Sequence, residues 1–117
     1  MPVPLHEAKA ALFRTIGHPI RIRVLELLCE REHAVHELLA VIGVEPSTLS
    51  MQLGVLRRGG IVRQRRMGGE VLYALMVPSI RELLSAARTT LGLLVADQAQ
   101  LQADLDEEAN AESDSKA

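Results

Sequence analysis

Aromatic residues and cysteine are scarce in this chain of 117 residues. Aromatics make up 2% of the sequence and tryptophan is absent, so any core is built from aliphatic side chains. Such a composition favours packed helices over a sheet sandwich. The single cysteine, Cys29, excludes a disulfide within the chain and is typical of a reducing, cytoplasmic setting. Cys29 continues the apolar face of a predicted helix, which favours a place in the core over a redox role.

Long apolar runs, a targeting sequence and catalytic motifs are also missing. No apolar run approaches the roughly 18 residues of a membrane helix, and the first residues lack the basic flank and apolar core of a signal peptide. We therefore expect a soluble cytoplasmic protein without a membrane partner. The chain has no Gly-rich phosphate loop and no nucleophile motif, so the sequence predicts that it is not an enzyme.

Charge is unevenly distributed along the chain. The formal net charge is −2, but residues 97–117 carry seven acidic residues and one lysine, and residues 1–96 carry twelve basic and eight acidic residues. The first part is therefore basic and the end is acidic. The last residues hold too little apolar surface to order themselves. We predict a folded domain over residues 1–105 and an acidic, disordered tail over residues 106–117.

Helical periodicity dominates the first half of the sequence. Apolar residues recur every three or four positions, and glycine and proline separate the periodic segments. The first predicted helix, "LHEAKAALFRTI", ends at Gly17, and the second begins at Pro19. The third runs from about Ala34 to Ile42, and the fourth begins near Pro46 and ends at Gly59.

A change of period follows the fourth helix. The segments "IVRQRR" and "EVLYAL" are short, rich in strand-forming residues and separated by Met67-Gly68-Gly69, which predicts a β-hairpin. A last, long helix opens at Pro78 and Ser79. Its apolar residues form a heptad seam that one small domain cannot bury, which favours a dimer. The seam contains Ile80, Leu84, Ala87, Leu91, Leu94, Leu101 and Leu105. The predicted fold is mostly α, in the order ααααββα.

The third and fourth helices, joined by a short turn with glycine, are typical of a helix-turn-helix that binds DNA. The second helix of this motif lies in the major groove, where its early residues contact bases. Those residues are Ser47, Thr48, Ser50, Met51 and Gln52. Glu45 or Ser47 can also cap this helix. The arginines of the hairpin would lie along the phosphate backbone.

The segments "LFRTIGHPIRIRVLELL" and "STLSMQLGVLRRGGIVRQRRMGGEVLYAL" resemble the ArsR/SmtB family of winged helix-turn-helix regulators. This resemblance implies a homodimer, held by the first and last helices, that binds an inverted-repeat operator and usually represses transcription. Ser47 to Gln52 and Arg57 match the recognition helix, and the wing is matched by Arg63, Arg65 and Arg66. The implied dimer interface contains Leu5, Leu12, Ile80, Leu84, Ala87, Leu91 and Leu94.

The recognition helix departs from the family pattern. The family often has Ser-His-His-Leu-Lys where this chain has Ser50-Met51-Gln52-Leu53-Gly54, so the operator preference of relatives does not transfer. Gly54 inside a helix costs about 1 kcal/mol relative to alanine. The glycine either allows a close approach to DNA or is a neutral substitution.

An effector is suggested only by histidines. The Cys-x-Cys pair of the family's best-known metal site is absent, and no histidine follows His36. His33 and His36 are three residues apart and are expected to share a helix face, flanked by Glu32 and Glu37. With His6 of the partner subunit they would suit Ni or Zn. The alternative is that these are exposed polar positions of an amphipathic helix.

A second class of function is also compatible with the sequence. The long last helix and the acidic tail suit a protein-interaction module or co-regulator, whose effector would be a partner protein and whose DNA binding would be secondary. A gel-shift assay on a variant with Arg63, Arg65 and Arg66 all replaced by alanine separates the two functions. A DNA-binding regulator would lose DNA binding that it needs for its function, whereas an interaction module would lose none of its function.

Overall fold

The computed structural model describes residues 2–115 and has the element order ααβααββα. All five predicted helices and both strands of the predicted hairpin are present. A short strand between α2 and α3 was not predicted. The elements are α1 Leu5–Ile16, α2 Pro19–Glu30, β1 His33–Ala34, α3 Val35–Ile42, α4 Pro46–Arg58, β2 Val62–Met67, β3 Glu70–Leu75 and α5 Ile80–Ser115.

The helix boundaries follow from local chemistry at each end. The His18 side chain caps α2, since its Nδ1 accepts a hydrogen bond from the backbone N–H of Ile20 at 3.1 Å. Gly43 ends α3 in the left-handed region, with φ of 72°, and its N–H donates to the carbonyl of Leu39. Glu45 occupies the N-cap position of α4 without a side-chain hydrogen bond. Ser47 lies inside that helix, so the alternative that Ser47 caps it is wrong.

The three strands form one antiparallel sheet in the order β1-β3-β2. Gly68 and Gly69 join β2 to β3 with φ of 58° and 83°, which two-residue turns of type I′ require at both positions. On the other side of β3, His33 pairs with Tyr73 and Ala34 pairs with Leu72. The predicted hairpin is therefore two strands of a three-stranded sheet.

The core is aliphatic, as the composition predicted. Tyr73 is buried and its hydroxyl donates to Oε1 of Gln64 at 2.8 Å, whereas the other aromatic side chain, Phe13, is exposed. Burial of each leucine contributes roughly 1.5–3 kcal/mol. The largest fully buried side chains are Leu25, Leu28, Leu38, Leu49, Leu53, Leu56, Val24 and Val62.

Contacts within the chain divide it into two compact units, with the boundary between Arg81 and Glu82 in α5. The first unit holds α1 to β3 and the first two residues of α5, Ile80 and Arg81. Ile80 belongs to this unit and is only 2% exposed. Its assignment to a dimer interface is therefore wrong, because its surface is already used in the core of its own chain.

The second unit begins at Glu82 and consists of the remainder of α5. The sequence predicts disorder from residue 106, whereas the structure continues the helix to Ser115; Lys116 and Ala117 lie outside the described residues. Glutamine and aspartate side chains support the helix through i,i+4 hydrogen bonds, from Gln100 to Asp104 and from Gln102 to Asp106. Whether residue 105 is a domain boundary stays a prediction.

No single helix within residues 2–115 has the length and apolar composition to cross a membrane. Only the pair α3 and α4 passes that test jointly, and the two helices are bent by 115° at their turn.

Candidate nucleic-acid interface

The recognition helix α4 has one buried face and one exposed face. Leu49, Leu53 and Leu56 are each 1% exposed or less and fix the helix against the core. The positions between these leucines point away from the core, because a helix turns once in 3.6 residues. Ser47, Ser50 and Met51 are exposed there, and Thr48 and Gln52 are half-buried.

The turn between α3 and α4 sets the geometry of the helix-turn-helix. The two helices are bent by 115° relative to each other, within the usual range of the motif. Gly43 supplies the left-handed residue at the end of α3, and Pro46 begins α4. Leu38 is fully buried on α3, so the core fixes both helices of the motif.

The hairpin β2–β3 carries the predicted wing arginines. Arg63, Arg65 and Arg66 are exposed, and they lie opposite Ala74, Leu72 and Val71 of β3. Alternation along β2 places Arg63 and Arg65 on one face and Arg66 on the other. Within residues 2–115, neither Arg63 nor Arg66 forms an ion pair, and the same holds for Arg57 in the last turn of α4. These three guanidinium groups are free to bind phosphate.

Arg65 differs from the other wing arginines because it binds a carboxylate of its own chain. Its Nε donates to Oε2 of Glu32 at 2.9 Å, and its Nη2 donates to Oε1 at 2.5 Å. These hydrogen bonds lower the pKa of the Glu32 carboxyl group and raise the pKa of Arg65. The sequence contains no signal for this pair, because the two residues are 33 positions apart and β1 was not predicted.

A second ion pair organises the start of α3. Nη2 of Arg31 donates to Oε2 of Glu37 at 2.6 Å, and the backbone N–H of Ala34 donates to Oε1 of the same carboxylate at 2.9 Å. The bond from Arg31, followed by the bond from Ala34, lowers the pKa of Glu37 to about 2. The carboxylate thus caps the helix and is not available as a metal ligand in this arrangement.

The histidines predicted to bind metal do not share a helix face. His33 lies in β1 at 4% exposure, with its Nδ1 2.8 Å from the carbonyl oxygen of Arg31, whereas His36 is exposed in the first turn of α3. The expectation was wrong because the helix begins at Val35, after the first histidine. His6 is exposed on α1. No group of three or more His, Cys, Asp or Glu side chains that could hold a metal ion occurs among the described residues.

The residues assigned to a dimer interface differ in exposure. In the first unit, Leu5 is exposed and Leu12 is half-buried. In the second unit, Leu84 is half-buried, and Leu91 and Leu94 are 61% and 52% exposed. Ala87 is also exposed, as are Leu101 and Leu105 further along the helix. Apart from Ile80, these residues present apolar surface that a second chain can cover.

Known proteins with similar sequences are regulators with the same motif. Residues 18–64 match the family model described as bacterial regulatory protein, arsR family. An HTH-type transcriptional regulator of Mycobacterium tuberculosis is 48% identical over 103 residues, which cover 87% of this chain and 90% of the relative. The biofilm growth-associated repressor of Xylella fastidiosa is 41% identical over 80 residues, or 68% of this chain and 70% of the relative.

Solved structures agree with this result. The crystal structure of Rv0081 from Mycobacterium tuberculosis has a TM-score of 0.76 at 48% identity. The match covers 84% of this chain and 99% of that chain. The transcriptional repressor BigR from Xylella fastidiosa has a TM-score of 0.68 at 39% identity, with 73% of this chain covering 87% of that chain. The fold and the helix-turn-helix therefore define a winged-helix DNA-binding protein.

The chain belongs to the arsR family of bacterial regulatory proteins. It is a DNA-binding transcriptional regulator of the ArsR/SmtB type. The family membership that the recognition helix and the wing predicted is thereby confirmed. The mostly helical fold and the regulatory function are confirmed as well.

Proposed function

We propose that this chain acts as a homodimer that binds an inverted-repeat operator and represses transcription. Two relatives support this assembly and direction of control. The biofilm growth-associated protein of Xylella fastidiosa is named a repressor, and a Mycobacterium bovis domain with 26% identity and a TM-score of 0.60 is described as a homodimeric winged helix-turn-helix. A twofold dimer places two equal reading helices about one DNA turn apart, which an inverted repeat matches.

The observation that carries this proposal is the exposed face of α4. Ser50 and Met51 project from a helix whose opposite face is held by fully buried leucines, so the reading residues stand on a rigid element. Met51 is 64% exposed, and its thioether chain suits apolar contact with a thymine methyl group. Gln52 is half-buried beside it and carries an amide that suits adenine.

The wing supplies the part of the affinity that does not depend on sequence. Arg63 and Arg66 form no ion pair within residues 2–115, so both can contact phosphates without first breaking one. Each contact releases condensed counterions, which makes binding weaken as salt rises. Base contacts from α4 thus supply sequence specificity, and phosphate contacts from the wing supply affinity for DNA of any sequence.

The dimer would be held by the exposed leucines of α5 together with the apolar residues of α1. Leu91, Leu94, Leu101 and Leu105 are each more than half exposed in the single chain and follow the heptad spacing of a coiled coil. A soluble surface rarely leaves such a row uncovered. A second α5 packed on this row would bury it.

An effector metal, Ni or Zn, is a separate proposal that rests on the histidines. His33 has only its Nε2 remaining for a ligand role, since its Nδ1 lies against the Arg31 carbonyl, and it is buried. His36 is the exposed candidate, and His6 of the partner subunit would have to approach it. Metal binding would therefore require a rearrangement around β1 or a site built on His36.

Recovery of bound DNA from the cell, followed by a reporter assay, tests the regulatory proposal. We expect one inverted-repeat sequence to be enriched and the attached reporter to rise when the protein is deleted. A variant with Arg63→Ala and Arg66→Ala should fail to enrich it, whereas Arg14→Ala, which removes an exposed charge from α1, should not. A reporter that falls on deletion would show an activator, and enrichment of a single half-site would contradict the dimer.

A further inference from the structure

Glu32 lies in the connection between α2 and β1 and pairs with Arg65, the middle one of the three wing arginines. The pair is bidentate, with both carboxylate oxygens accepting from Nε and Nη2 of Arg65. The Glu32 side chain is 28% exposed and the Arg65 side chain is 48% exposed, so solvent and DNA can reach both. Bidentate arginine–carboxylate geometry is the strongest form of such a pair and resembles the way arginine binds phosphate.

The local structure fixes Glu32 in this position. Its backbone oxygen accepts a hydrogen bond from Nη1 of Arg31 at 2.8 Å. The next residue, His33, pairs with Tyr73 in the sheet that also contains Arg65. The carboxylate is therefore placed by the fold beside β2, and its depressed pKa keeps it ionised at neutral pH.

The three wing arginines are consequently not equivalent. Neither Arg63 nor Arg66 forms an ion pair within residues 2–115, although the charge of Arg63 also helps to lower the pKa of Glu32, whereas Arg65 is hydrogen-bonded directly to that carboxylate. A phosphate that approaches Arg65 must displace the carboxylate or lie beside it. Displacement breaks two hydrogen bonds, and adjacency places two negative charges together.

We propose that Glu32 is an internal competitor for the DNA phosphate at Arg65, and that it lowers the affinity of this regulator for DNA of any sequence. The competition leaves base contacts from α4 unchanged, so a larger share of the binding free energy comes from sequence reading. This inference rests on the proposed DNA-binding role of the wing. Glu32 thus sets the affinity for DNA and its salt dependence without touching a base, and the ratio of operator affinity to affinity for an arbitrary sequence stays the same.

Glu32→Gln tests this role because it removes the charge and keeps the shape. We expect binding to a duplex of arbitrary sequence to tighten about three- to tenfold near 0.1 M salt, with a salt slope steeper by about 0.9 per protomer. Glu30→Gln is the matched control: it removes the same charge from an exposed glutamate two positions earlier that forms no ion pair within residues 2–115. The control should leave both quantities nearly unchanged.

A double-variant cycle shows whether the effect passes through Arg65. Adding Arg65→Ala to Glu32→Gln should abolish the gain relative to the wild type, and Arg65→Ala alone should weaken binding, because it leaves the Glu32 carboxylate unpaired near the phosphates. Three results would each overturn the proposal. The double variant could bind DNA more tightly than the wild type, Glu32→Gln could tighten binding no more than Glu30→Gln does, or Glu32→Gln could weaken binding. Glu32→Ala repeats the measurement should the glutamine variant fold poorly.

Arg63→Ala separates this inference from the proposed function. If Arg63→Ala weakens binding to DNA and Glu32→Gln does not tighten it, the wing contacts DNA but the competition is wrong. If Arg63→Ala has no effect, the proposed phosphate contacts of the wing and the competition at Arg65 both fail, whereas base reading by α4 is tested separately.

Discussion

Nε2 of His36 lies 2.8 Å from Oε1 of Glu70, a contact that joins the first turn of α3 to the strand after the wing turn. The two side chains are 69% and 53% exposed. A polar contact this exposed contributes little to the free energy of unfolding. Its consequence is geometric, since it connects the helix-turn-helix to the tip of the wing.

This contact makes His36 the residue on which to test metal binding. Calorimetric titration of the wild type with Ni²⁺ or Zn²⁺ should give a binding isotherm that His36→Gln removes, since glutamine lacks the imidazole that these ions prefer. His33 is unsuitable for this purpose because it is buried. Equal heats from both proteins would place the metal elsewhere, and no heat from the wild type would reject a metal effector.

Acid should weaken the start of α3 through Glu37. Its pKa in the folded chain is about 2, below the ordinary value of 4.5, so its stabilising effect is complete above pH 4.5 and is lost as the pH falls toward 2. Urea unfolding should therefore show Glu37→Gln less stable than the wild type at neutral pH. The difference should narrow as the pH falls below 4.5.

The control for this experiment is Glu45→Gln, because the Glu45 side chain forms no capping hydrogen bond. The difference in free energy of unfolding between Glu45→Gln and the wild type should not narrow in the same way as the pH falls. A gap between Glu37→Gln and the wild type that stays constant from neutral to acidic pH would contradict the assigned role of the carboxylate.

Gly54→Ala should stabilise the recognition helix. A Cβ at this position would lie 3.0 Å from Nη1 of Arg58, the far end of a flexible side chain that can move. Alanine gains up to about 1 kcal/mol over glycine inside a helix. We expect the free energy of unfolding to rise and operator affinity to stay the same, which would support neutral substitution.

Gly43→Ala supplies the opposite control because φ there is 72°, and alanine should lower the free energy of unfolding. A loss of operator affinity greater than about tenfold in Gly54→Ala would show instead that the glycine permits close approach to DNA.

Sedimentation should detect a dimer that depends on the exposed leucines of α5. Leu91→Asp and Leu94→Asp together should yield folded monomers, because both side chains are exposed in the single chain and their loss leaves the core intact. Thr89→Asp places the same charge on an exposed position away from the heptad seam and should remain dimeric. A monomeric wild type at micromolar concentration would reject the dimer.

Periodicity and turn residues were sufficient to predict the helices and the wing. Gly43, Gly68 and Gly69 all have positive φ, so the sequence indicated those turns through residues that tolerate this backbone. The strand β1 was missed because it has two residues and acquires its identity only by pairing with β3. That omission led directly to the wrong placement of His33 on a helix.

The candidate site was predicted less completely than the fold. The positions of the α4 residues follow from helical spacing, and their exposure agrees with it. The pairing of Arg65 with Glu32 and of Glu70 with His36 joins residues more than 30 positions apart. Such contacts depend on how the sheet and helices pack, which a local pattern does not encode. Ile80 was misassigned for the same reason.

Operator recognition by this regulator depends most on base reading by α4. Fluorescence titration of the recovered operator and of a scrambled duplex, with wild type and with Met51→Ala plus Gln52→Ala, tests it directly. Met76→Ala, which shortens another exposed methionine, is the control. We predict that the double variant loses about 1–3 kcal/mol on the operator for each base contact removed and nothing on the scrambled duplex. Equal losses on both duplexes, or no loss on either, would contradict the assignment of α4 as the reading helix.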